Sequence, residues 1–247
     1  MNEPEKQAEL STNATVSLAI ELSNPSATNG AHHAALFGAD GSLIGSMAIP
    51  SGVRSADGLM LLISTLCEEY SVVSNGIERI IVSVGPGGYT SLRIATTTAK
   101  VLAHAIGCKV VAVSSALVAG VGYAKEYDFQ QGEKVLVALA SKKELSHCSV
   151  IAADGTVDEI GIIDAPGLGA LIAKMPEIKV ILSDDHLPES FVEMAKTNGM
   201  LVEAISLDAR WCWEASAGIE AVEPIDLMPK YAREPDAVTQ WRVRHSG

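Results

Sequence analysis

The chain has 247 residues, enough for one large domain or two small ones, and it is 48% hydrophobic but only 4% aromatic. Its formal net charge of −12 argues against a nucleic-acid backbone as a direct, stand-alone ligand. The four cysteines are far apart and form no Cys-x-x-Cys pair, so neither a zinc site nor a disulfide framework is expected. Because no apolar run is long enough for a signal peptide or a membrane span, a cytoplasmic protein without membrane contact is expected.

Residues 1–14 are polar and are predicted to form a disordered tail. Apolar alternation and helical spacing then predict the elements of the first half. These are strands at 15–22, 32–37 and 43–49, a helix at 55–70, a strand at 80–84, a helix from 90 or 91 to 106, a strand at 109–113 and a helix at 115–127. Asp40-Gly41 is predicted to turn the hairpin between the second and third strands.

After a linker at 130–133 the same order of elements begins again. The second half is predicted to contain strands at 135–140, 147–152 and 157–163, a helix at 168–173, a strand at 179–182, a helix at 188–197, a strand at 201–206 and a helix at 209–221. Asp154-Gly155 is predicted to turn its hairpin, as Asp40-Gly41 does in the first half. The order βββαβαβα thus occurs twice, which is a topological repeat.

Two such halves describe an α/β protein with the duplicated ribonuclease-H-like fold of actin and the sugar kinases. The predicted lobes are residues 15–128 and 134–222, followed by a C-terminal extension at 223–247.

The stretch from 80 to 106 is the most informative part of the sequence. A β-branched run is broken by the loop Gly85-Pro86-Gly87-Gly88, and a hydroxyl of Thr90 or Ser91 is predicted to cap the following helix. Gly107 is in the position that favours glycine after a helix. The loop fits neither the P-loop nor the dinucleotide-binding pattern of glycines.

The helix that follows the loop has two unlike faces. One is a stripe of mostly small apolar residues, namely Ala95, Ala99, Leu102, Ala103 and Ile106. The opposite face is predicted to carry polar residues available for association, namely Arg93, Thr96, Thr97, Lys100 and His104. Residue pattern alone leaves open a helix that only covers a sheet.

The segment Gly85-Pro86-Gly87-Gly88-Tyr89-Thr90-Ser91-Leu92-Arg93-Ile94 resembles the Gly-Pro-Gly-Ser-Phe-Thr-Gly-Leu-Arg-Ile-Gly signature of the TsaB family of tRNA threonylcarbamoyladenosine biosynthesis. Near the end, Met228-Pro229-Lys230-Tyr231-Ala232-Arg233 resembles the Pro-x-Tyr-x-Arg segment of that family.

The resemblance implies a protein without catalysis of its own. Such a protein pairs with the catalytic subunit TsaD through helices of the first lobe. With the ATPase TsaE, the assembly helps to place threonylcarbamoyl on the adenosine beside the tRNA anticodon. It further implies that tRNA, ATP and magnesium are met only within the complex, and that the same surface can form a homodimer when the partner is absent.

The fold class normally binds ATP between its halves, with an aspartate after the first strand. Here Glu21-Leu22-Ser23 stands in that place, so Glu21 and Ser23 are a candidate vestigial nucleotide site. The loop 140–146 contains no glycine to wrap phosphates. No catalytic residue and no metal ligand are therefore predicted, and the alternative is an ATP-dependent phosphotransferase or ATPase that uses Glu21.

Other clusters favour structural roles. His32 and His33 are adjacent on a strand and point to opposite faces, so they cannot share a metal. Asp184-Asp185-His186 is predicted to be a solvated turn and helix cap rather than a metal site. Trp211 and Trp213 are predicted packing anchors. The basic residues near the end are predicted to form a disordered tail or to touch RNA or an acidic partner; they are Arg242, Arg244 and His245.

Overall fold

The computed structural model describes residues 15–24, 33–50, 52–233, 241 and 244–245. The predicted tail at 1–14, residues 25–32 including His32, and Arg242 lie outside the described residues.

The first five strands form one sheet. They are β1 (Val16–Glu21), β2 (His33–Gly38), β3 (Leu43–Ala48), β4 (Ile77–Ser83) and β5 (Lys109–Val113), in the order β3-β2-β1-β4-β5. The first three strands pair antiparallel and β1, β4 and β5 pair parallel. The predicted Asp40-Gly41 turn is confirmed, since Gly41 has φ 83° and its N–H bonds to the carbonyl of Gly38 at 3.0 Å.

The second sheet repeats this arrangement. Its strands are β6 (Lys134–Lys142), β7 (Leu145–Ala152), β8 (Val157–Ile163), β9 (Ile178–Ser183) and β10 (Leu201–Ala204), in the order β8-β7-β6-β9-β10. Each strand has the place and direction of the one five numbers earlier. The duplicated, two-lobed fold predicted from the sequence is confirmed, whereas the exact domain boundaries stay a prediction.

Six helices cover the sheets. They are α1 (Ser55–Glu69), α2 (Tyr89–Ile106), α3 (Ser115–Glu126), α4 (Ala165–Lys174), α5 (Glu189–Thr197) and α6 (Ala209–Ala215). The buried clusters place α1 and α2 on the outer face of the first sheet, α3 and α6 between the sheets, and α4 and α5 on the outer face of the second. Among the described residues, no helix has both the length and the apolarity needed to cross a bilayer.

Three helix ends differ from the prediction. Helix α2 begins at Tyr89 after an extended Gly88 without a side-chain cap, so the proposed cap at Thr90 or Ser91 is wrong. Helix α4 begins earlier than predicted because the Asp164 carboxylate accepts the first-turn N–H of Gly167 at 2.9 Å. Helix α6 is shorter than predicted, since the chain turns after Ala215 and Gly218 has φ 73°. The predicted end of α2 at Gly107 is confirmed by a left-handed φ of 73°.

Candidate functional site

The glycine loop and the Pro-x-Tyr-x-Arg segment, more than 130 residues apart in sequence, lie against each other. The backbone N–H of Lys230 donates to the carbonyl of Val84 at 2.7 Å. The Tyr231 ring stacks on Tyr89 with centroids 4.5 Å apart, and the Arg93 guanidinium lies 5.6 Å from the Tyr89 centroid. The two segments singled out by the resemblance therefore form one site at the start of α2.

The glycines of the loop permit close approach of three chain segments. Gly85 has φ 111°, and a Cβ added there would overlap the Lys230 carbonyl oxygen. A Cβ on Gly87 would overlap the Ser23 carbonyl, to which the N–H of Gly88 donates at 2.6 Å. The loop thus uses its glycines to pack backbone on backbone, and the Ser23 carbonyl already takes one of its N–H groups.

Glu21 is buried at the end of β1, only 1% exposed. Its Oε1 accepts the N–H of Ser23 at 2.5 Å, whereas Oε2 has no hydrogen-bond partner among the described residues. Burial raises the pKa of Glu21, and the nearby hydroxyl groups of Ser23 and Ser83 oppose this only in part. Burial therefore disfavours the ionised carboxylate, which is the form that binds magnesium. No group of three His, Cys, Asp or Glu residues within the described ranges could hold a metal ion.

Replacing Glu21 by glutamine is expected to stabilise the protein above pH 5 and to leave it nearly unchanged below pH 4. A raised pKa means that the folded state holds the proton longer than the unfolded chain does. The stability that Glu21 contributes is therefore fully present below its ordinary pKa of 4.5. It is lost as pH rises through the pKa that Glu21 has in the folded state. Chemical denaturation of both proteins from pH 4 to pH 8 measures this. A stability difference that does not grow with pH would contradict the prediction.

Asp184 joins the two lobes and corrects the sequence prediction. It is 6% exposed, and its Oδ2 accepts the Asn24 side-chain amide at 2.6 Å while Oδ1 accepts the N–H of His186 at 2.9 Å. Asp184 of the predicted solvated turn is thus buried, whereas Asp185 and His186 are exposed as predicted, and the residue before α5 is Pro188. Asn24 lies in the first lobe and Asp184 follows β9 of the second, so this bond spans the interlobe boundary.

Arg233 forms a second link between the lobes. Its guanidinium donates to the carbonyl oxygens of Ala140 at 2.7 Å and Leu145 at 3.2 Å. These carbonyls flank the glycine-free hairpin turn between β6 and β7. Ala140 near the end of β6 and Lys143 in the turn both have positive φ. The loop 140–146, predicted to be unable to bind phosphates, is instead bound by the Arg233 guanidinium.

A polar cluster lies where β2 begins and α6 begins. The His33 Nδ1 is 3.2 Å from the Asp208 carboxylate, which Arg210 contacts at 2.6 Å. Burial would raise the pKa of Asp208, but His33 and Arg210 together lower it well below its ordinary value. This arrangement agrees with a structural role for His33.

The two tryptophans pack as predicted. Trp213 stacks on Phe37 at 5.5 Å and lies under the Arg79 guanidinium at 4.4 Å. The Arg210 guanidinium lies 5.3 Å from the Trp211 ring centroid.

Fewer of the predicted polar residues of α2 lie on its exposed face than the sequence indicates. Arg93, Thr97 and His104 are exposed. Thr96 is only 3% exposed and donates to the Leu92 carbonyl at 2.7 Å, so its placement on the outer face is wrong. The Lys100 ammonium donates to the Ile225 carbonyl at 2.8 Å, because the short 3-10 helix at Pro224–Asp226 packs against this side of α2.

An apolar groove of about 510 Å³ runs between α1 and α2, and we call it the α1–α2 groove. Its main apolar lining side chains are Met60, Ile63 and Cys67 from α1 and Leu102 and Ile106 from α2. Elsewhere on the same two helices, Leu61 of α1 is 67% exposed and Val101 of α2 is 59% exposed. Sequence reasoning missed this groove because it assigned Leu102 and Ile106 wholly to the core stripe.

Residues 54–161 match the family model described as TsaD, tRNA N6-adenosine threonylcarbamoyltransferase. No curated protein sequence matches the chain. YeaZ from Pseudomonas aeruginosa has a similar structure, with a TM-score of 0.64 and 19% identity over 88% of this chain and 99% of YeaZ. A structure described as an uncharacterized protein with similarity to peptidase YEAZ from Pseudomonas aeruginosa has a TM-score of 0.63 and 18% identity, over 89% of this chain and 100% of its own. The chain thus has the YeaZ fold, and less than half of its length matches the TsaD family model.

Proposed function

We propose that this protein is a non-catalytic subunit that pairs with a TsaD-like catalytic subunit in threonylcarbamoylation of the tRNA adenosine next to the anticodon. The observation that carries the proposal is the exposed α1–α2 groove, whose two helices both lie within the segment 54–161 that matches the TsaD family model.

The groove has the chemistry of a protein-binding surface. Leu61 and Val101 are mostly exposed, and Met60 is 51% exposed at the groove itself. Burying a side chain of this kind contributes about 1.5–3 kcal/mol, so leaving three together in water is unfavourable for a monomer. A partner that covers the solvent-exposed sides of both α1 and α2 would bury all three. A second copy of the chain is the rival occupant, which sedimentation of the isolated protein distinguishes.

The interlobe site supports a non-catalytic role. The Glu21 carboxyl has a raised pKa, and Arg233 binds the β6–β7 turn that would face a nucleotide. With a net charge of −12, contact with tRNA is expected through the complex rather than through this chain alone. The TsaE-like ATPase then supplies ATP hydrolysis to the assembly.

Replacing both Leu61 and Val101 by aspartate is expected to weaken binding to the TsaD-like subunit of the source organism at least tenfold, about 1.4 kcal/mol. The new carboxylates would be desolvated by the partner, while in the free protein both stay in water and melting is nearly unchanged. Titration calorimetry with the purified catalytic subunit measures the affinity.

The matched control is Leu201→Asp on β10, since Leu201 is also exposed, at 60%, but belongs to the other lobe. Equal affinity of the double variant and the wild type would exclude the groove. No binding by the wild type, together with micromolar binding of ATP and magnesium, would favour the phosphotransferase alternative instead.

A further inference from the structure

The residues 222–231, which we call the C-terminal strap, run alongside the whole of α2. At one end the Val222 N–H donates to the Val110 carbonyl at 2.8 Å, and at the other Tyr231 stacks on Tyr89. Between these ends the Lys100 side chain, near the middle of α2, bonds to the Ile225 carbonyl. The strap therefore runs antiparallel to α2.

The strap is held in place between its ends. The Lys100 ammonium donates to the Ile225 carbonyl at 2.8 Å, Leu227 is buried at 2% exposure, and the Lys230 N–H bonds to Val84. These contacts use backbone groups or inward-facing side chains, so the outward-facing side chains of the strap are left in solvent on a fixed backbone.

Two of those outward side chains are large and apolar. Ile225 is 75% exposed and Met228 is 66% exposed. In the part of the chain that the structure describes, six of the eight large apolar side chains that are at least half exposed lie on α1, the loop after it, α2 or the strap. These six are Met60, Leu61, Val73, Val101, Ile225 and Met228. Scattered exposed apolar residues are ordinary, but their concentration on one side marks an interaction surface.

We propose that the C-terminal strap is the third side of the surface that binds the TsaD-like catalytic subunit, with Ile225 and Met228 as its contact residues. This inference rests on the proposed function and extends it. Packed helices lie 8–10 Å apart, so α1, α2 and the strap form a strip roughly 20 Å wide. A strip of that width comes closer to the ~800 Å² per partner of a stable interface than a groove between two helices does.

A fixed strap also lowers the entropic cost of association. A flexible tail would have to be ordered on binding, whereas Ile225 and Met228 are already positioned by the bond from Lys100 and by buried Leu227. Lys100, predicted from the sequence to contact a partner directly, therefore acts on this surface as a positioning residue.

Acidic residues of the strap indicate which charges the partner surface would carry. Glu223 and Asp226 are exposed and lie on either side of Ile225 in the sequence. The complementary surface is accordingly an apolar patch bordered by lysine or arginine, and the association should weaken as salt screens these pairs.

The double variant Ile225→Asp with Met228→Asp, in the full chain, tests the proposal against the purified TsaD-like subunit. We expect at least tenfold weaker binding with an unchanged melting temperature, because neither side chain is buried in the free protein. Leu201→Asp is the control and should bind like the wild type. In a separate variant, Glu223→Lys with Asp226→Lys is expected to weaken binding and to flatten its salt dependence.

The Leu61 and Val101 double variant, measured in parallel, separates the two proposals. If that variant binds poorly while the strap variant binds like the wild type, the strap lies outside the interface and this inference is overturned, but the proposed function stands. If the wild-type chain does not bind the subunit at all, both are overturned.

Discussion

Replacing Gly85 by alanine is expected to lower the free energy of unfolding by about 2–5 kcal/mol. Two effects add at this position. A residue other than glycine at φ 111° costs about 1–2 kcal/mol, and relieving the overlap of its Cβ with the Lys230 carbonyl costs about 1–3 kcal/mol more. That carbonyl belongs to backbone held by the bond to Val84, so it cannot rotate away as a side chain could.

Gly107→Ala is the matched control for this variant. Gly107 also has a positive φ, 73°, but a Cβ there would meet no atom within 4 Å. The Gly107→Ala variant is therefore expected to lose about 1 kcal/mol of unfolding free energy, from backbone conformation alone. Urea denaturation of the three proteins measures the difference. Equal losses of unfolding free energy in the two variants would show that the Lys230 carbonyl does not restrict the residue type at Gly85.

The glycine loop is therefore explained by packing rather than by phosphate binding. Its glycines accommodate the carbonyls of Ser23 and Lys230, and the N–H of Gly88 is already bonded. This agrees with the failure of the loop to match either nucleotide fingerprint. It also explains why the two segments that resemble the TsaB family occur together, since each is shaped to the other.

Local pattern was enough to predict the sheets and most helices. The alternating or β-branched runs and the two Asp-Gly turns are signals that neighbouring residues generate, and each predicted strand overlaps an observed one. The repeated order of elements then predicted two lobes of like topology. The ends of α2, α4 and α6 depend on single capping or turn residues. Hydrophobic periodicity does not locate such residues accurately.

The site could be predicted only in part because its contacts are long-range. The Asp184 carboxylate is buried by Asn24, 160 residues earlier, and no local feature of Asp-Asp-His reveals that partner. Thr96 lies on the polar side of a helical wheel, yet the strap covers that side. The exposed Ile225 and Met228 belong to a segment whose sequence has neither helical nor strand periodicity.

Replacing Arg233 by alanine is expected to lower the free energy of unfolding by about 1.5–3 kcal/mol. The guanidinium donates two hydrogen bonds to the Ala140 and Leu145 carbonyls, and bonds from a charged donor contribute about that much. Because these carbonyls belong to the second lobe and the strap that precedes Arg233 is fixed to the first, the loss should also loosen the lobes. Faster amide exchange at the β6–β7 turn, with exchange in β4 unchanged, is the expected signature.

Two further variants serve as controls for Arg233→Ala. Arg54→Ala removes an arginine whose side chain is 84% exposed and pairs with nearby Asp57, so its effect is expected to be within about 0.5 kcal/mol. Arg233→Lys keeps the charge but loses the planar fork that reaches two carbonyls at once, so it should recover the stability only partly. If Arg233→Ala is as mild as Arg54→Ala and leaves exchange at the turn unchanged, the two lobes are held together without this residue, by the Asn24–Asp184 bond and the core between the sheets.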